Sequence, residues 1–440
     1  MSDIKKKVAV ITLGCKVNQY ESEAISEGLV KSGYEIAKED EKCFAYIINT
    51  CTVTAESDRK ARQMIRRAVS KNPDAYILVA GCYSQTNPDA VAAISGVDYI
   101  CGSSNKLSVI KKLHELDARG HKNFSAEIST EDLTAAGFEK MCIEKFDRTR
   151  AYIKIQDGCE SKCTYCVIPS ARGHIRSKPF DDVIEEARRL TERGCREVVL
   201  TGIETASYGK DLSPDENLAE LLCGIDRIEN IGRVRLGSLD PSALKPDFID
   251  KISSLKSLAH HFHLSLQSGS DRILALMKRK YNSEQAMNTI NLLREAFSDV
   301  QLTTDIIVGF PGESDEDFRQ TCDFAIRAGF LMIHVFPYSK REGTKAAEMD
   351  NQIAENVKHE RVGILSALAK QIRCGILDSF VKNNKVTDVL FEYFSDGYMY
   401  GHSPEFVEIR VRTDFDLRSQ IKKVRIISHN GELCEGLLYN

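Results

Sequence analysis

The chain has 440 residues, too many for one ordinary domain, and 42% hydrophobic with 28% charged residues excludes a disordered polymer. Its apolar runs all fall short of the roughly eighteen residues a membrane helix needs, so no membrane span is expected. A formal net charge of −4 gives no global attraction to nucleic acid.

The opening MSDIKKKVAVITLGC reads as the approach to a buried strand and not as a secretory signal, so a cytoplasmic location is expected. Over the first 115 or so residues VAVITLG, FAYIINT, AYILVAG and VDYI read as strands. SEAISEGLVKSG, SDRKARQMIRRAVSK and NPDAVAAIS read as the helices between them. Strands alternating with helices imply a parallel sheet. The second helix is basic, with Arg59, Lys60, Arg62, Arg66, Arg67 and Lys71, which makes it either a solvated face or an RNA contact. Residues 118–147 are polar, lack a period and read as a linker after a first domain at 1–117.

From Tyr152 the rhythm returns in six strand candidates: AYIKIQ, REVVLTG, RVRLG, HFHLSL, LTTDIIVG and LMIHVFPY. Asp181 and Asp182 mark one helix start, and Ser314 with Asp317 makes a capping-box-like pair at another. Six such units predict a partial barrel or a large open sheet at 148–377, with ligands at the carboxyl ends of the strands. A long helix is expected over Gln352 to Val381. Residues 380–440 then turn to short alternating runs that predict a small all-β barrel or sandwich.

Fourteen cysteines in a reducing compartment point to metal binding more than to disulfides. Cys159, Cys163 and Cys166 share one short loop after a strand. Three thiolates there can hold three irons of a 4Fe–4S cluster and leave the fourth open, whereas the alternative is a zinc loop with a distant fourth ligand. This spacing, with Tyr165 before the last cysteine, resembles the radical S-adenosylmethionine superfamily. The resemblance implies that Gly202 and Glu204 hold the amino group of that cofactor, and that Asp305 and Gly309, with Pro311 and Gly312, lie near its adenine. Ser265 and Gln267 share a strand face with His261 and His263 and are candidates for the cofactor's ribose or carboxylate. For the two histidines, metal ligation competes with simple burial in the sheet. Arg172 and Arg176 are candidates for anion or RNA contact, with surface solvation as the alternative.

Cys15, Cys51 and Cys82 each end or follow a strand, about one βα repeat apart. Neighbouring parallel strands bring such ends to one sheet edge, so three thiols there can meet on a second cluster; separate buried cysteines are the alternative. Cys101 also follows a strand and is a possible fourth ligand.

The phrases LGCKVNQYESE, NTCTVT, VAGCYSQ, DGCESKCTYC and HLSLQSGSDRIL together resemble the methylthiotransferases. That family implies an α/β chain of three parts: an amino-terminal parallel cluster domain, a partial (βα)6 TIM-like radical barrel, and a small all-β TRAM-like barrel. It implies two 4Fe–4S clusters and S-adenosylmethionine as cofactors. Cys15-Lys16-Val17-Asn18-Gln19 and Thr201-Gly202-Ile203-Glu204-Thr205 are most similar to the MtaB-type members, which place a methylthio group on carbon 2 of threonylcarbamoyladenosine beside the tRNA anticodon. The partners implied are the anticodon stem-loop of tRNA, an electron donor such as flavodoxin or ferredoxin, and a sulfur source. The alternatives are relatives acting on isopentenyladenosine or a ribosomal-protein aspartate, a non-catalytic iron–sulfur RNA-binding protein, and a two-cluster electron carrier. Residues 380–440 carry eight Lys plus Arg against nine Asp plus Glu, so an RNA grip there rests on a local patch at Arg418, Lys422, Lys423 and Arg425.

Overall fold

The computed structural model describes residues 6–122, 125–146 and 149–439. Residues 1–5 of the opening segment, 123–124 and 147 of the expected linker, and 148 and 440 at domain ends lie outside the described residues. The first sheet contains β1 (Lys7–Thr12), β2 (Glu35–Ala37), β3 (Ala45–Thr50), β4 (Tyr76–Gly81), β5 (Tyr99–Cys101) and β6 (Glu127–Ser129). All its pairings are parallel, in the order β2-β1-β3-β4-β5-β6. Every residue of β3 and β4 is buried, because helices cover both faces of a parallel sheet. β6 falls within the stretch read as linker; three residues are too few to show a period.

Helices α1 (Lys16–Lys31), α2 (Ala55–Lys71), α3 (Cys82–Thr86), α4 (Pro88–Ala92) and α5 (Ser108–Arg119) connect these strands. α1 starts at Lys16 and not at Ser22, where the apolar pattern becomes plain. Its first turns bury Asn18 and Glu21 beside Val17 and Tyr20, since they face a second domain through charge.

That domain is built on β7 (Arg150–Lys154), β8 (Gln156–Asp157), β9 (Arg176–Ser177), β10 (Glu197–Thr201), β11 (Arg233–Leu236), β12 (Ser238–Leu239), β13 (His261–Gln267), β14 (Gln301–Val308) and β15 (Met332–Pro337). Parallel sheets β11-β10-β7 and β12-β13-β14-β15 meet through a Val234–Leu258 bridge and make the open partial barrel. After β8 come α6 (Ile168–Arg172) and, after β9, α7 (Phe180–Glu192). Asp181 and Asp182 lie inside the first turn of α7 and do not cap it, whereas the Ser314–Asp317 capping box is formed. The helix Glu355–Lys382 leads to β16 (Val386–Ser395), β17 (Tyr398–His402), β18 (Glu408–Arg412), β19 (Ile421–His429) and β20 (Cys434–Leu438). These close a barrel in the order β16-β17-β18-β20-β19 around Val389, Phe391, Met399, Ile409 and Val424.

Two buried ion groups join the parts. At the first, Glu21 of α1 takes Lys154 Nζ at 2.7 Å, Arg172 Nη1 at 2.7 Å and Lys106 Nζ, all four side chains nearly or wholly inaccessible. Burial opposes the Glu21 charge, but Arg172, Lys106 and Lys154 outweigh it and hold the carboxyl well below its usual range. At the second, Glu197 of β10 takes Arg233 and Arg235 of β11, each at 2.9 Å. Those arginines also donate to the carbonyls of Asp388, His402, Ser403 and Pro404, which fastens the carboxy-terminal barrel to the central one. Burial would raise the Glu197 carboxyl, yet Arg235 and then Arg233 hold it down to about 2.

Glu21→Gln strands three buried cations and should cost about 3–5 kcal/mol in urea unfolding, against less than about 0.5 kcal/mol for Glu185→Ala in an exposed pair. Glu197 has a lowered folded pKa, so its stabilisation is complete above the ordinary carboxylate value of about 4.3 and fades as pH falls toward 2, on the order of 3 kcal/mol in all. Unfolding midpoints followed from pH 6 to 3 should therefore drop more steeply in the parent chain than in Glu197→Gln.

Candidate active site

The carboxyl ends of β1, β3 and β4 lie side by side, and a cysteine follows each. Cys15 caps α1, Cys51 follows β3, and Cys82 opens α3. Gly14 has φ +103°, and a Cβ there would stand 2.6 Å from Cys51 Cβ and 2.9 Å from its Sγ, so only glycine lets the Cys15 backbone come so close. Cys51 and Cys82 are buried and Cys15 reaches solvent. Burial and then Cys82 push the Cys51 thiol up to about 11, and Cys82 and Cys15 each act on it. The three thiols thus share one locus. Cys101 does not join them: it packs with Val109, Leu113 and Leu29 in the apolar layer under α1 and α5. Three soft donors and no fourth cysteine suit a cluster with one uncapped iron.

The second trio grows from the β8–β9 ribbon. Gly158 has φ +73°, and any side chain there would run into the His174 carbonyl. The Cys159 amide donates to the Gly173 carbonyl at 3.0 Å, closing the loop's start. Thr164 holds its far side, donating from its amide and hydroxyl to the Met277 and Leu276 carbonyls at 3.2 and 2.9 Å. Cys159, Cys163 and Cys166 all line one open cavity of about 1080 Å3. Burial pushes the Cys159 thiol up to about 12 and Cys166 up to about 11, and a bound metal would ionise both.

Glu204 accepts from Cys159 Sγ at 3.2 Å, so its carboxylate stands at the cluster loop. Gln156 aims it: its side-chain oxygen accepts from the Glu204 amide at 2.8 Å, and a Cβ on Gly202 would meet that same oxygen at 2.8 Å. Arg279 Nη1 donates to Cys163 Sγ at 3.3 Å, while its Nη2 holds Asp240 at 2.7 Å and the Ser265 carbonyl at 2.8 Å. Ser265 is thus engaged through its backbone. Gln267, at φ +73° beside a bulge in β13, Asp305, Tyr165 and Cys166 line a second cavity of about 230 Å3. Val53 and Thr54, just after Cys51, form its opposite wall. Gly309 does not line this cavity; its amide donates to Glu313 at 2.6 Å.

His263 Nε2 approaches Asp305 Oδ2 at 3.2 Å, and the exposed His334 joins them within 4.8 Å. His261 is buried, bonded to Thr303 at 3.0 Å and stacked on Phe406. Lys16, next to Cys15, is exposed and close enough to this group to act electrostatically on His334. Burial, then Arg235 and Arg150, lower its proton affinity, and among the described residues no carboxylate is paired with it.

Arg172 and Arg176 correct the sequence reading. Both are buried, neither on the surface nor open to RNA. Arg172 instead donates through Nε to Cys82 Sγ at 3.1 Å. The patch expected at Arg418, Lys422, Lys423 and Arg425 is weakened, since Arg418 pairs with Asp416 at 2.6 Å and Lys423 faces Asp388 at 3.6 Å. On α2, Arg59 pairs with Glu56, whereas Arg66, Arg67 and Lys71 are exposed. Gln156 and Arg279 were absent from the sequence reading. Gln156 had a usable signal in its place before Asp157-Gly158-Cys159; Arg279 meets Cys163 only through tertiary folding.

A model described as the Radical SAM superfamily matches residues 153–325, and one described as Uncharacterized protein family UPF0004 matches residues 7–102. The chain is 39% identical to a threonylcarbamoyladenosine tRNA methylthiotransferase MtaB of Bacillus subtilis, over 98% of this chain and 95% of that protein. It is 35% identical to the protein of that name in Thermotoga maritima, covering 98% of each. A tRNA-2-methylthio-N(6)-dimethylallyladenosine synthase of Acetivibrio thermocellus is 35% identical, over 96% of this chain and 88% of its own length. The fold also resembles the radical S-adenosylmethionine methyltransferase TsrM of Kitasatospora setae, with TM-score 0.58 and 16% identity over 78% of this chain and 77% of that one. With relatives 35–39% identical over 98% of this chain, the chain belongs to the radical S-adenosylmethionine methylthiotransferase family.

Proposed function

We propose that this protein places a methylthio group on carbon 2 of threonylcarbamoyladenosine beside the tRNA anticodon, in the cytoplasm, using two 4Fe–4S clusters and S-adenosylmethionine. The observation that carries the reading is the meeting of two sites at Cys166: it borders the cavity of its own trio and a second cavity whose far wall follows Cys51. That arrangement supports a radical source and a sulfur carrier serving one substrate.

The hydrogen to be replaced sits on an aromatic carbon and is not acidic, so no side-chain base can remove it. S-adenosylmethionine bound at an uncapped iron supplies, on one-electron reduction, an organic radical that can. The chain's own residues do the positioning. Cys159, Cys163 and Cys166 hold the first cluster, and Glu204, aimed by Gln156, takes the ammonium of the cofactor. Tyr165, Gln267 and Asp305 border its nucleoside end, and Gly309 follows Asp305 at the end of the same strand. Cys15, Cys51 and Cys82 hold the cluster that carries sulfur. Two S-adenosylmethionine molecules would be needed per product, one as radical source and one as methyl donor, with electrons from a flavodoxin or ferredoxin and sulfur from a separate donor.

Lys16 favours the threonylcarbamoyl substrate over the dimethylallyl one. Threonylcarbamoyl ends in a carboxylate, a dimethylallyl group is uncharged, and the exposed Lys16 ammonium, with no carboxylate paired to it among the described residues, suits the former. For the RNA, the carboxy-terminal barrel offers a stacking platform in place of a basic face. Tyr393 and Tyr400 stack at 4.8 Å, Arg410 lies 4.5 Å over Tyr398, and Phe394 and Phe415 are exposed.

Nucleoside mass spectrometry of tRNA treated with the reconstituted enzyme should give the 2-methylthio product, and Cys163→Ala should abolish it while tRNA binding persists. Modification of dimethylallyladenosine in its place would refute the substrate assignment. Lys16→Met should raise KM for threonylcarbamoyl-tRNA about 10- to 100-fold, the loss of one charged hydrogen bond, with kcat little changed. An unchanged KM would remove Lys16 from the substrate site.

A further inference from the structure

One short helix touches both sulfur sites. At the start of α6 the Ile168 amide donates to Cys166 Sγ at 3.4 Å. At its end Arg172 Nε donates to Cys82 Sγ at 3.1 Å. Arg172 is fully buried, and its remaining nitrogens are fixed: Nη1 on Glu21 at 2.7 Å and Asp157 at 3.1 Å, Nη2 on Asn18 at 2.6 Å. The guanidinium cannot swing, so its Nε stays aimed at sulfur.

The charge around it is unbalanced. Glu21 and Asp157, with Glu139 beside Lys154, stand against Lys106, Lys154, Arg172 and Arg176, so four cations face three carboxyl groups in a buried cluster. Excess buried charge is costly unless an opposite charge lies close by. A neutral thiol is a weak acceptor and does not meet that need, whereas a metal-bound thiolate does.

We infer that Arg172 is a positioning residue of the sulfur-carrying site, whose N–H···S bond to Cys82 makes the amino-terminal cluster easier to reduce and ties it to the loop of the radical-generating trio. This rests on the proposed cluster at Cys15, Cys51 and Cys82. Hydrogen bonds to ligand sulfurs favour the reduced, more negative state and are a main determinant of cluster potential. Glu21 and Asn18 act through Arg172 by locking its orientation.

The test uses the full chain with Cys159, Cys163 and Cys166 replaced by alanine, so that only the amino-terminal cluster forms, grown with nitrogen-15 arginine. Pulsed EPR of the reduced cluster should show coupling to an arginine nitrogen, and Arg172→Lys should abolish it. In a redox titration Arg172→Gln should move the reduction equilibrium at least tenfold toward the oxidised state, about 59 mV for one electron. Lys106→Gln, which removes a cation from the same group without touching sulfur, should move it clearly less. A cluster without arginine coupling, or equal shifts in the two glutamine variants, overturns the inference. If Arg172→Gln fails to hold a cluster, the coupling in its parent decides. If the parent itself assembles no cluster, the proposed cluster site fails, an outcome distinct from a cluster lacking the arginine signal.

Discussion

The architecture depends on a buried carboxylate. Glu21, inaccessible at the interface, gathers Lys106 from its own domain with Lys154 and Arg172 from the barrel. Ions so placed are tolerated only in the paired geometry, so the group specifies one docking of α1 against β7 where an apolar seam would accept several. That docking brings Val53 and Thr54 of the first domain to the same cavity as Tyr165 and Cys166 of the barrel. The second group, centred on Glu197, fixes the carboxy-terminal barrel in the same manner at the other end of the strands.

Each trio lies at carboxyl ends of parallel strands, where loops leave a sheet and side chains can converge without breaking its ladder. The glycines before Cys15 and Cys159 adopt left-handed backbone that brings each cysteine against a neighbouring chain segment. Each trio also has one sulfur facing a buried guanidinium, Cys82 with Arg172 and Cys163 with Arg279. Both clusters would therefore sit against fixed positive charge. The enzyme's contribution to a radical reaction is of this kind: it orients groups, excludes stray partners and tunes potential, while the cofactor supplies the reactive electron.

Much of this was legible in the sequence because thiol chemistry is carried by residue type and spacing. Cys159, Cys163 and Cys166 declare themselves within one loop, and Cys15, Cys51 and Cys82 through their common position after apolar runs. The Ser314–Asp317 cap was readable because it is local. Arg172 was misjudged because a lone arginine in a polar loop looks solvated, and its partners Glu21 and Cys82 lie 151 and 90 residues away. Arg279 escaped notice for the same reason, 116 residues from Cys163. The start of α1 was hidden because its inward face is polar, and β6 because an edge strand of three residues has no period. Pairings across an interface between domains leave no local trace.

The central claim is that two separate thiol trios each carry an iron–sulfur cluster with one iron left open. Iron analysis with Mössbauer spectroscopy after anaerobic reconstitution tests it most directly. The account predicts about eight irons per chain, about four when either trio is replaced by alanine, and a distinct signal from one iron on adding S-adenosylmethionine only while Cys159, Cys163 and Cys166 are intact. About four irons in the unaltered chain, or zinc at either trio, would contradict it.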